Sequence, residues 1–382
     1  MKKFFIIAGE ASGDLLGSKL ISEIKLQHTA SEFIGVGGKL MQEQGLVSIF
    51  PMEELSVMGF LEVLPHLSKL LRRINQTAEI IVKEKPDFVI SIDSPDFNFR
   101  VMKKLQNFNS AKKIHLIAPS VWAYRAGRAQ KISKLYDLLL CVLPFEPAYF
   151  EKHGLKTVFI GHPLISNAPD FTKKEAENLK FRQKYLLKKD DIIIALTPGS
   201  RESEVQKIFP EFIGAVNLLA EKKPNLKVII PLVEKTRELV YEMAKTLKVE
   251  YFPIEQEEKE MALFASDFAL AKSGTNTLEF SLHSVPIIVA YKINCLTHFL
   301  FKMMVRIKFA NLINLIMHEE IIPEMLQKNC DAKKISIVLK NLISDKKSCA
   351  RQIEKSKIAL KLMGFGSHEN HIQKAVKAIL AL

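Results

Sequence analysis

The sequence predicts an α/β fold with two doubly wound parallel sheets in tandem and a helical C-terminal region. Three observations predict it. The chain has 382 residues, too many for one ordinary core, and 48% of them are apolar, enough to fill two. Short β-branched or aromatic runs also alternate with longer amphipathic segments, a pattern typical of parallel strands joined by crossover helices.

The alternation occurs twice along the chain. The strands predicted in the first half are Phe4–Ala8, Glu32–Val36, Asp87–Asp93, Lys113–Ala118, Asp137–Val142 and Thr157–Ile160. The helices predicted between them are Asp14–Gln27, Leu67–Lys83 and Phe97–Gln106. The strands predicted in the second half are Asp191–Thr197, Leu226–Pro231, Val249–Phe252, Asp267–Ala271 and Pro286–Ala290, each followed by a helical segment. A polar, lysine-rich stretch, Asn167–Lys189, has no strand signal and looks like a connection.

These patterns give the domain bounds. We expect a Rossmann-like N-terminal domain at residues 1–165, a second Rossmann-like domain at 166–363 and a C-terminal helix at 364–382. Beyond Cys295 the pattern is helical almost to the end of the chain. Two open sheets that face each other across a cleft are the simplest arrangement that buries all of these elements.

Composition excludes several classes of protein. No run approaches the roughly 18 apolar residues of a spanning helix, which argues against an integral membrane protein. Four widely separated cysteines give neither a disulfide framework nor a zinc site, so we expect the reducing cytoplasm. The apolar stretch near Met1 is too short for a signal peptide and fits a first strand better. A net charge of +13 indicates anionic partners: phosphates, nucleic acid or a lipid surface.

Two strand ends in the first half bear carboxylates. Gly9 and Glu10 follow the first strand, and Asp14 begins the helix predicted after it. Ligands of open α/β sheets bind outside the carboxyl ends of such strands. Glu10 and Asp14 fit a turn carboxylate and a helix N-terminal charge equally well. Asp93 ends another strand and is a candidate general base, whereas Asp96 fits either the site or a cap of the next helix. Their Asp-x-x-Asp spacing does not imply a divalent ion.

Two strand ends in the second half suit a phosphorylated ligand. Gly199 and Ser200 lead into a helix, and Arg201 adds a planar cation suited to a diphosphate. The segment Ser273-Gly274-Thr275 repeats this design. Glu279, one turn into the next helix, is placed to accept ribose hydroxyl groups, although alone it fits a solvated helix residue equally well.

Apolar and basic residues occur together at three places. Residues 51–74 combine an apolar stripe with Lys69, Arg72 and Arg73, which fits either core packing or an interfacial helix on a membrane. Residues 299–309 are a second patch of this kind. Residues 119–128 join aromatic side chains to Arg125 and other cations, which fits either a solvated helix start or contact with phosphate or sugar.

Taken together, the motifs resemble those of the lipid-A-disaccharide synthase family. They occur in the family's order and span nearly the whole chain. The segments that resemble it are 9–14 (GEASGD), 52–59 (MEELSVMG), 92–98 (IDSPDFN), 119–123 (PSVWA), 143–146 (LPFE), 159–163 (FIGHP), 198–201 (PGSR) and 273–275 (SGT).

The resemblance implies a metal-independent glycosyltransferase of the two-Rossmann (GT-B) type that needs no cofactor. It would transfer 2,3-diacylglucosamine from its UDP donor to 2,3-diacylglucosamine 1-phosphate, at the inner face of the cytoplasmic membrane, and it would not bind nucleic acid. The resemblance also suggests a homodimer that exchanges C-terminal parts. Asn314 aligns with a family residue near UDP, but Ile313 stands where the family usually has proline.

We therefore expect Asp93 to deprotonate the acceptor, with Glu10 as a second catalytic carboxylate. The acceptor side would include Ser12, Asp14, Asp96 and Arg125, and the donor side Gly199, Ser200, Arg201, Ser273, Gly274, Thr275, Glu279 and Asn314. Two alternatives stay open: a related transferase that uses a polyprenyl-linked acceptor, and a non-catalytic basic protein that binds anionic lipid or nucleic acid.

Overall fold

A computed structural model describes residues 1–55, 67–124, 127–165, 168–294 and 307–382. The chain divides into two compact units. Unit 1 comprises Met1–Ser166 and Gly366–Leu382, and unit 2 comprises Asn167–Phe365. Each unit has its own parallel sheet and its own buried core.

Within the described residues, the sheet of unit 1 has seven parallel strands in the order β3-β2-β1-β4-β5-β6-β7. The strands are β1 (Lys2–Ala8), β2 (Ser31–Val36), β3 (Val47–Ser48), β4 (Phe88–Ile92), β5 (Lys112–Leu116), β6 (Leu138–Cys141) and β7 (Lys156–Phe159). The winding direction reverses between β1 and β4, which lie side by side with Ala8 opposite Ile92. Ligands of open α/β sheets bind at such a switch point, outside the carboxyl ends of the strands.

Residues Phe4–Ala8 of β1 and all of β4 are buried, as expected for central parallel strands with both faces covered. The helices are α1 (Ala11–Gln27), α2 (Lys39–Glu43), α3 (Leu67–Glu84), α4 (Pro95–Lys104), α5 (Arg128–Ser133) and α6 (Pro147–Glu151). The C-terminal helix (His371–Leu380) packs on α1. It begins with a capping box in which Asn370 and Gln373 exchange side-chain-to-backbone hydrogen bonds.

The sheet of unit 2 has six parallel strands among the described residues, in the order β10-β9-β8-β11-β12-β13. The strands are β8 (Ile192–Thr197), β9 (Leu226–Pro231), β10 (Tyr251–Ile254), β11 (Phe268–Lys272), β12 (Ile287–Tyr291) and β13 (Glu324–Leu326). Its winding reverses between β8 and β11, where Thr197 lies opposite Ala271.

The helices of unit 2 are α7 (Lys174–Lys184), α8 (Glu202–Ala220), α9 (Arg237–Ala244), α10 (Lys259–Ala265), α11 (Thr275–Leu282), α12 (Leu312–Met317), α13 (Ala332–Ser344) and α14 (Lys346–Leu362). Short 3-10 turns lie at Met52–Leu55, Phe171–Lys173, Glu234–Thr236, Gln256–Glu258 and Gln327–Asn329. The largest fully buried side chains of α8 are Phe209 and Phe212, which pack into the core of unit 2. Across the described parts of the chain, no helix is both long and apolar enough to cross a membrane.

All eleven predicted strands are present, and their ends differ from the prediction by two residues or fewer. Two expectations were wrong. The segment after Cys295 is not uniformly helical, because the three-residue strand β13 pairs with β12 at the sheet edge. The stretch Asn167–Lys189 is not a bare connection, because it contains α7, whose Phe181 is fully buried.

Candidate active site

Asp93 lies at the switch point of unit 1, one residue beyond β4. Its backbone is left-handed, with φ +46°, and that of Ser94 is as well, with φ +43°. The Asp93 N–H donates to the Leu116 carbonyl at 3.0 Å, and the Asn98 side-chain amide donates to the Asp93 carbonyl at 2.7 Å. Two strained residues in succession cost about 1–3 kcal/mol each, and such strain clusters at functional sites. Burial also raises the pKa of the Asp93 carboxyl.

Gly9, at the end of β1, allows the two loops of the switch point to approach closely. A Cβ added to Gly9 would lie 2.5 Å from the Ser94 hydroxyl oxygen. Glu10 is the next residue and precedes α1, and Ser12 is exposed in the first turn of that helix. The first loop is therefore a glycine turn packed against the strained residues beside Asp93.

Asp14, predicted on the acceptor side, has a structural task within unit 1. It is 5% exposed, and its carboxylate accepts hydrogen bonds from the N–H groups of Gly38 (2.8 Å), Leu40 (3.0 Å) and Met41 (3.1 Å). Two of these donors lie in the first turn of α2, so Asp14 satisfies N–H groups that the helix leaves without partners. A Cβ on Gly38 would lie 2.5 Å from the Asp14 oxygen, which explains that glycine.

Asp96 forms an ion pair with Arg128, at 2.7 Å, and its side chain is 81% exposed. It lies in the first turn of α4, whose N-cap residue is Ser94, so Asp96 is not the cap that the sequence allowed. Arg125 lies outside the described residues.

Glu146 is a buried carboxylate at the same edge of the sheet, and the sequence reasoning did not give it a role. It is 2% exposed, and its oxygens accept hydrogen bonds from Val142, Leu143 and the indole of Trp122. Burial raises the pKa of Glu146 to about 7.

In unit 2, Gly199 and Ser200 form a turn between β8 and α8. Gly199 is left-handed, with φ +129°, and a Cβ there would lie 2.6 Å from a Glu204 oxygen. That oxygen also accepts from the Ser200 N–H at 3.3 Å. Arg201 precedes α8 and its side chain is 69% exposed. The turn is therefore braced from within α8, while the Arg201 guanidinium remains accessible.

Lys272, the last residue of β11, is a second cation beside this turn. Its ammonium lies 3.1 Å from Glu204 and 5.6 Å from the centre of the Tyr291 ring. Glu204 also lies 3.9 Å from Arg201. Glu204 thus holds Lys272 near the Gly199 turn, at the switch point of the second sheet.

The predicted phosphate segment begins α11. Gly274 is left-handed, with φ +146°, and both it and Thr275 are exposed. The Ser273 hydroxyl donates to the Ala310 carbonyl at 2.7 Å, so Ser273 ties this segment to the loop before α12.

Glu279 forms an ion pair with Lys259, at 2.7 Å. Lys259 and Asn276 line a small cleft together with the Gly199 turn and the end of β9. Glu279 is therefore not the freely solvated residue that the sequence allowed, because Lys259 fixes its carboxylate beside this cleft.

Asn314, predicted to lie near UDP, is fully buried, and its side chain is used inside unit 2. Its Oδ1 accepts from the N–H groups of Ile321 and Ile322, and its Nδ2 donates to the Ile322 carbonyl and to Glu324. These bonds fasten α12 to the start of β13. The expected role of Asn314 at the donor side stays a prediction.

The basic cluster of residues 51–74 is partly neutralised. Arg73 donates twice to Glu54, at 2.7 and 2.9 Å, and Lys69 lies 3.3 Å from the same carboxylate. Ile74 is 1% exposed and belongs to the core, whereas Leu71 and Arg72 are exposed. Residues 56–66 lie outside the described residues, as does most of the patch at 299–309.

The described residues contain no group of three or more His, Cys, Asp or Glu side chains that could hold a metal ion. His162, at the end of unit 1, accepts a hydrogen bond from the Leu164 N–H, and burial lowers its pKa to about 4. It is a neutral, packed loop histidine.

Comparison with known proteins gives the family. The sequence model of lipid-A-disaccharide synthetase matches residues 4–379. The chain belongs to this family. It is 39% identical to lipid-A-disaccharide synthase of Rickettsia prowazekii over 382 residues, which cover 99% of each chain. It is also 39% identical to that of Rhodospirillum centenum over 353 residues, 92% of this chain and 87% of the relative.

Solved structures with a similar fold have low sequence identity. UDP-GlcNAc 2-epimerase from Neisseria meningitidis, bound to UDP-GlcNAc, is 14% identical with a TM-score of 0.60, covering 100% of this chain and 99% of that one. MurG of Acinetobacter baumannii is 13% identical with a TM-score of 0.59 over the full length of both chains. The Staphylococcus aureus MnaA–UDP structure is 16% identical with a TM-score of 0.58 and covers 94% of each chain.

These findings confirm the predicted fold class, two Rossmann-like units of the GT-B type with a helical C-terminal region. Family membership confirms the predicted activity as well: the chain is a glycosyltransferase that forms the lipid A disaccharide from a nucleotide-sugar donor and an acceptor. No observation favours a polyprenyl-linked acceptor.

Sequence reasoning missed three side chains near the carboxyl ends of the strands in the two sheets: Glu146, Lys272 and Glu204. Lys272 stands directly before the Ser273 segment, so the strand-end rule that found Ser273 could have found it. Glu146 ends the family-like segment 143–146, but nothing in the sequence indicates that it is buried. Glu204 resembled any acidic residue in a first helical turn, because its partner Lys272 lies 68 positions away.

Proposed function

We propose that the chain transfers 2,3-diacylglucosamine from UDP to the 6-hydroxyl of 2,3-diacylglucosamine 1-phosphate, with inversion at the anomeric carbon, and that Asp93 is the base. The observation that supports this most is the partly buried Asp93 carboxylate at the switch point of unit 1, whose pKa burial raises. A carboxylate of raised pKa is a stronger base. Asp93 takes the hydroxyl proton while the new C–O bond forms and UDP leaves.

The acceptor lies at the carboxyl edge of the unit 1 sheet in this proposal. Glu10 acts beside Asp93 as a second carboxylate that accepts a hydrogen bond from the acceptor. Ser12 and Asp96 line the same edge, and Arg125 contacts the acceptor phosphate. Asp14 contributes indirectly, because it holds the loop that begins α2.

The donor diphosphate lies at the Gly199 turn of unit 2. The exposed Arg201 guanidinium and the start of α8 suit an anion. We add Lys272 as a second cation, which Glu204 holds beside this turn. Gly274 and Thr275 contact the phosphates, and Glu279, oriented by Lys259, accepts the ribose hydroxyls. Ser273 and Asn314 support this surface from behind.

Steady-state assay of Asp93→Asn and Arg201→Ala, with both lipid substrates, tests these assignments. Asp93→Asn should lower kcat by about 10²- to 10⁴-fold, the usual contribution of a general base. Arg201→Ala should weaken UDP inhibition. Asp137→Asn and Arg351→Ala are matched controls, since both change exposed residues outside the proposed site. Near-normal rates in Asp93→Asn or Arg201→Ala would remove that residue from the mechanism.

The proposed transfer uses no metal ion: Arg201, Lys272 and the N–H groups at the start of α8 bind the diphosphate. Assay in excess EDTA, against untreated enzyme and enzyme with added Mg²⁺, tests this. Equal rates in the three samples are expected. A rate that disappears with EDTA and returns with Mg²⁺ would overturn the metal-free mechanism.

We also propose that residues 51–74 dock on the anionic inner face of the cytoplasmic membrane. Arg72 and Leu71 are exposed on α3, and the chain has a net charge of +13. Arg72→Glu should weaken sedimentation with anionic vesicles, whereas Arg73→Glu also breaks the Glu54 pair and should lower stability. Unchanged partitioning of Arg72→Glu would count against docking. The suggested homodimer stays a prediction, which light scattering tests.

A further inference from the structure

Glu146 is a buried carboxylate of unit 1 to which the proposed function assigns no role. Three N–H groups point at the two oxygens of Glu146. Oε2 accepts from the backbone N–H groups of Val142 and Leu143, both at 3.0 Å, and Oε1 accepts from the indole N–H of Trp122 at 3.2 Å. The backbone bonds are local to the turn after β6, whereas the indole bond joins positions 24 residues apart.

This arrangement suits the ionised carboxylate best. Protonation puts a hydrogen on one oxygen and makes that oxygen a weaker acceptor. Oε2 already accepts two backbone N–H groups, whereas Oε1 accepts only the indole N–H. The proton therefore goes to Oε1, and the indole bond is the one that weakens.

Trp122 lies in the turn at residues 119–124, which follows β5 at the same edge as Asp93. β5 and β4 are neighbours, with Leu116 opposite Ile92. Trp122 packs edge-on against Phe145, with ring centres 5.3 Å apart, and Tyr124 of the same turn is 39% exposed. The bond to Glu146 thus fastens a partly exposed aromatic turn to the end of β6.

We propose that Glu146 is a positioning residue of the transfer reaction: its ionised carboxylate holds Trp122, and with it the 119–124 turn, at the acceptor edge, and its protonation releases that turn. The acceptor part of this statement rests on the proposed function. The coupling between Glu146 and Trp122 does not.

Glu146 changes its ionisation in the neutral range, because burial raises its pKa to about 7. The hydrogen bonds from Leu143, Trp122 and Val142 oppose burial and favour the charged form. Among the described residues, the titratable group coupled to it is the Cys141 thiol on β6, whose pKa is raised by burial and by the charges of Glu146 and Glu151. That thiol stays protonated throughout the neutral range.

Trp122 is the single tryptophan of the sequence, so its emission reports this contact directly. The emission of the whole chain, without substrates, should change with a midpoint near pH 7. Glu146→Gln should abolish the transition, since the amide does not titrate. The control Glu151→Gln, an exposed carboxylate on α6, should retain it. A wild-type emission that stays flat between about pH 5.5 and 8.5, or a transition that persists in Glu146→Gln, would overturn the proposal.

Kinetics test the acceptor part. In Glu146→Gln an amide N–H faces the indole N–H, so the indole bond is lost. We expect the acceptor KM to rise about tenfold, because one hydrogen bond to a charged group is lost. The donor KM and kcat should be nearly unchanged. Trp122→Phe should cause a similar loss, and the double variant should lose no more than either single variant. Additive losses, or equal losses in donor and acceptor KM, would contradict a positioning role.

The two experiments separate the ideas they depend on. A neutral-pH emission transition in an enzyme that does not transfer the lipid would reject the proposed function and retain the Glu146–Trp122 switch. Normal transfer with a flat emission profile would retain the function and reject the switch.

Discussion

Replacing Asp14 separates its structural task from the acceptor role that the sequence suggested. The carboxylate accepts hydrogen bonds from three backbone N–H groups and is 5% exposed. Asp14→Ala leaves all three donors without this partner. Because two of them begin α2 and the third belongs to Gly38, the substitution should loosen the loop that connects β2 to that helix.

The magnitude follows from the contacts. Loss of a helix cap costs about 1 kcal/mol, and a buried N–H without an acceptor costs about 1–3 kcal/mol. The sum is about 3 kcal/mol for Asp14→Ala. For a unit of this size, 1 kcal/mol shifts Tm by about 2–4 °C, so we expect a fall of about 6–12 °C. Asp14→Asn keeps one acceptor oxygen and should lose about half as much.

Thermal unfolding followed by Trp122 emission measures this loss in the correct unit, because the single tryptophan lies in unit 1. Asp96→Ala is the matched control: it removes an exposed ion pair worth about 0–1 kcal/mol and should hardly change Tm. A Tm for Asp14→Ala within about 1 °C of the wild type would contradict a structural task for Asp14, since the three hydrogen bonds would then contribute nothing measurable.

Four further results are expected. Gly9→Ala should lower turnover and the Tm of unit 1, because its Cβ meets the Ser94 hydroxyl at 2.5 Å, and adding Ser94→Gly should restore both. Lys272→Ala should weaken UDP binding about tenfold in a calorimetric titration, as loss of one charged contact predicts, whereas unchanged affinity would exclude Lys272 from the donor site. A profile of kcat against pH, with both substrates saturating, should fall as the pH drops through the pKa of Asp93, and at a higher pH than for an exposed aspartate, because burial raises that pKa and the base must be ionised. Asn314→Ala should lower stability by about 2–4 kcal/mol in urea unfolding, since it leaves buried backbone groups unpaired, whereas a loss confined to UDP affinity would contradict this structural task and support the predicted donor role.

Alternating apolar runs were sufficient to find the strands of both sheets, because parallel strands are buried on both faces and stand out from their amphipathic neighbours. The two missed strands, Val47–Ser48 and Glu324–Leu326, are too short for any periodicity. The second also contains Glu324, which resembles a loop residue in sequence. Its carboxylate accepts hydrogen bonds from Ala310, Asn311 and Asn314, which no local pattern indicates.

The parts of the candidate site that could be predicted from the sequence are the strand-end turns, where glycine allows left-handed backbone angles. Gly199 and Gly274 were selected as strand-end glycines, and both adopt left-handed angles. Side chains whose role depends on distant partners were not predictable. Asp14 and Asn314 are polar residues in family-like positions, yet their oxygens and nitrogens are used within their own units. Distinguishing a ligand contact from a buried support requires the partner's position, which the sequence leaves open.

The central claim is that the Asp93 carboxylate is the base of the transfer reaction. Single-turnover product formation by Asp93→Asn, at donor and acceptor concentrations shown by calorimetry to saturate the enzyme, tests it most directly. We expect UDP affinity equal to the wild type and a rate constant lowered by about 10²-fold or more. A wild-type rate constant in the saturated Asp93→Asn enzyme would contradict it.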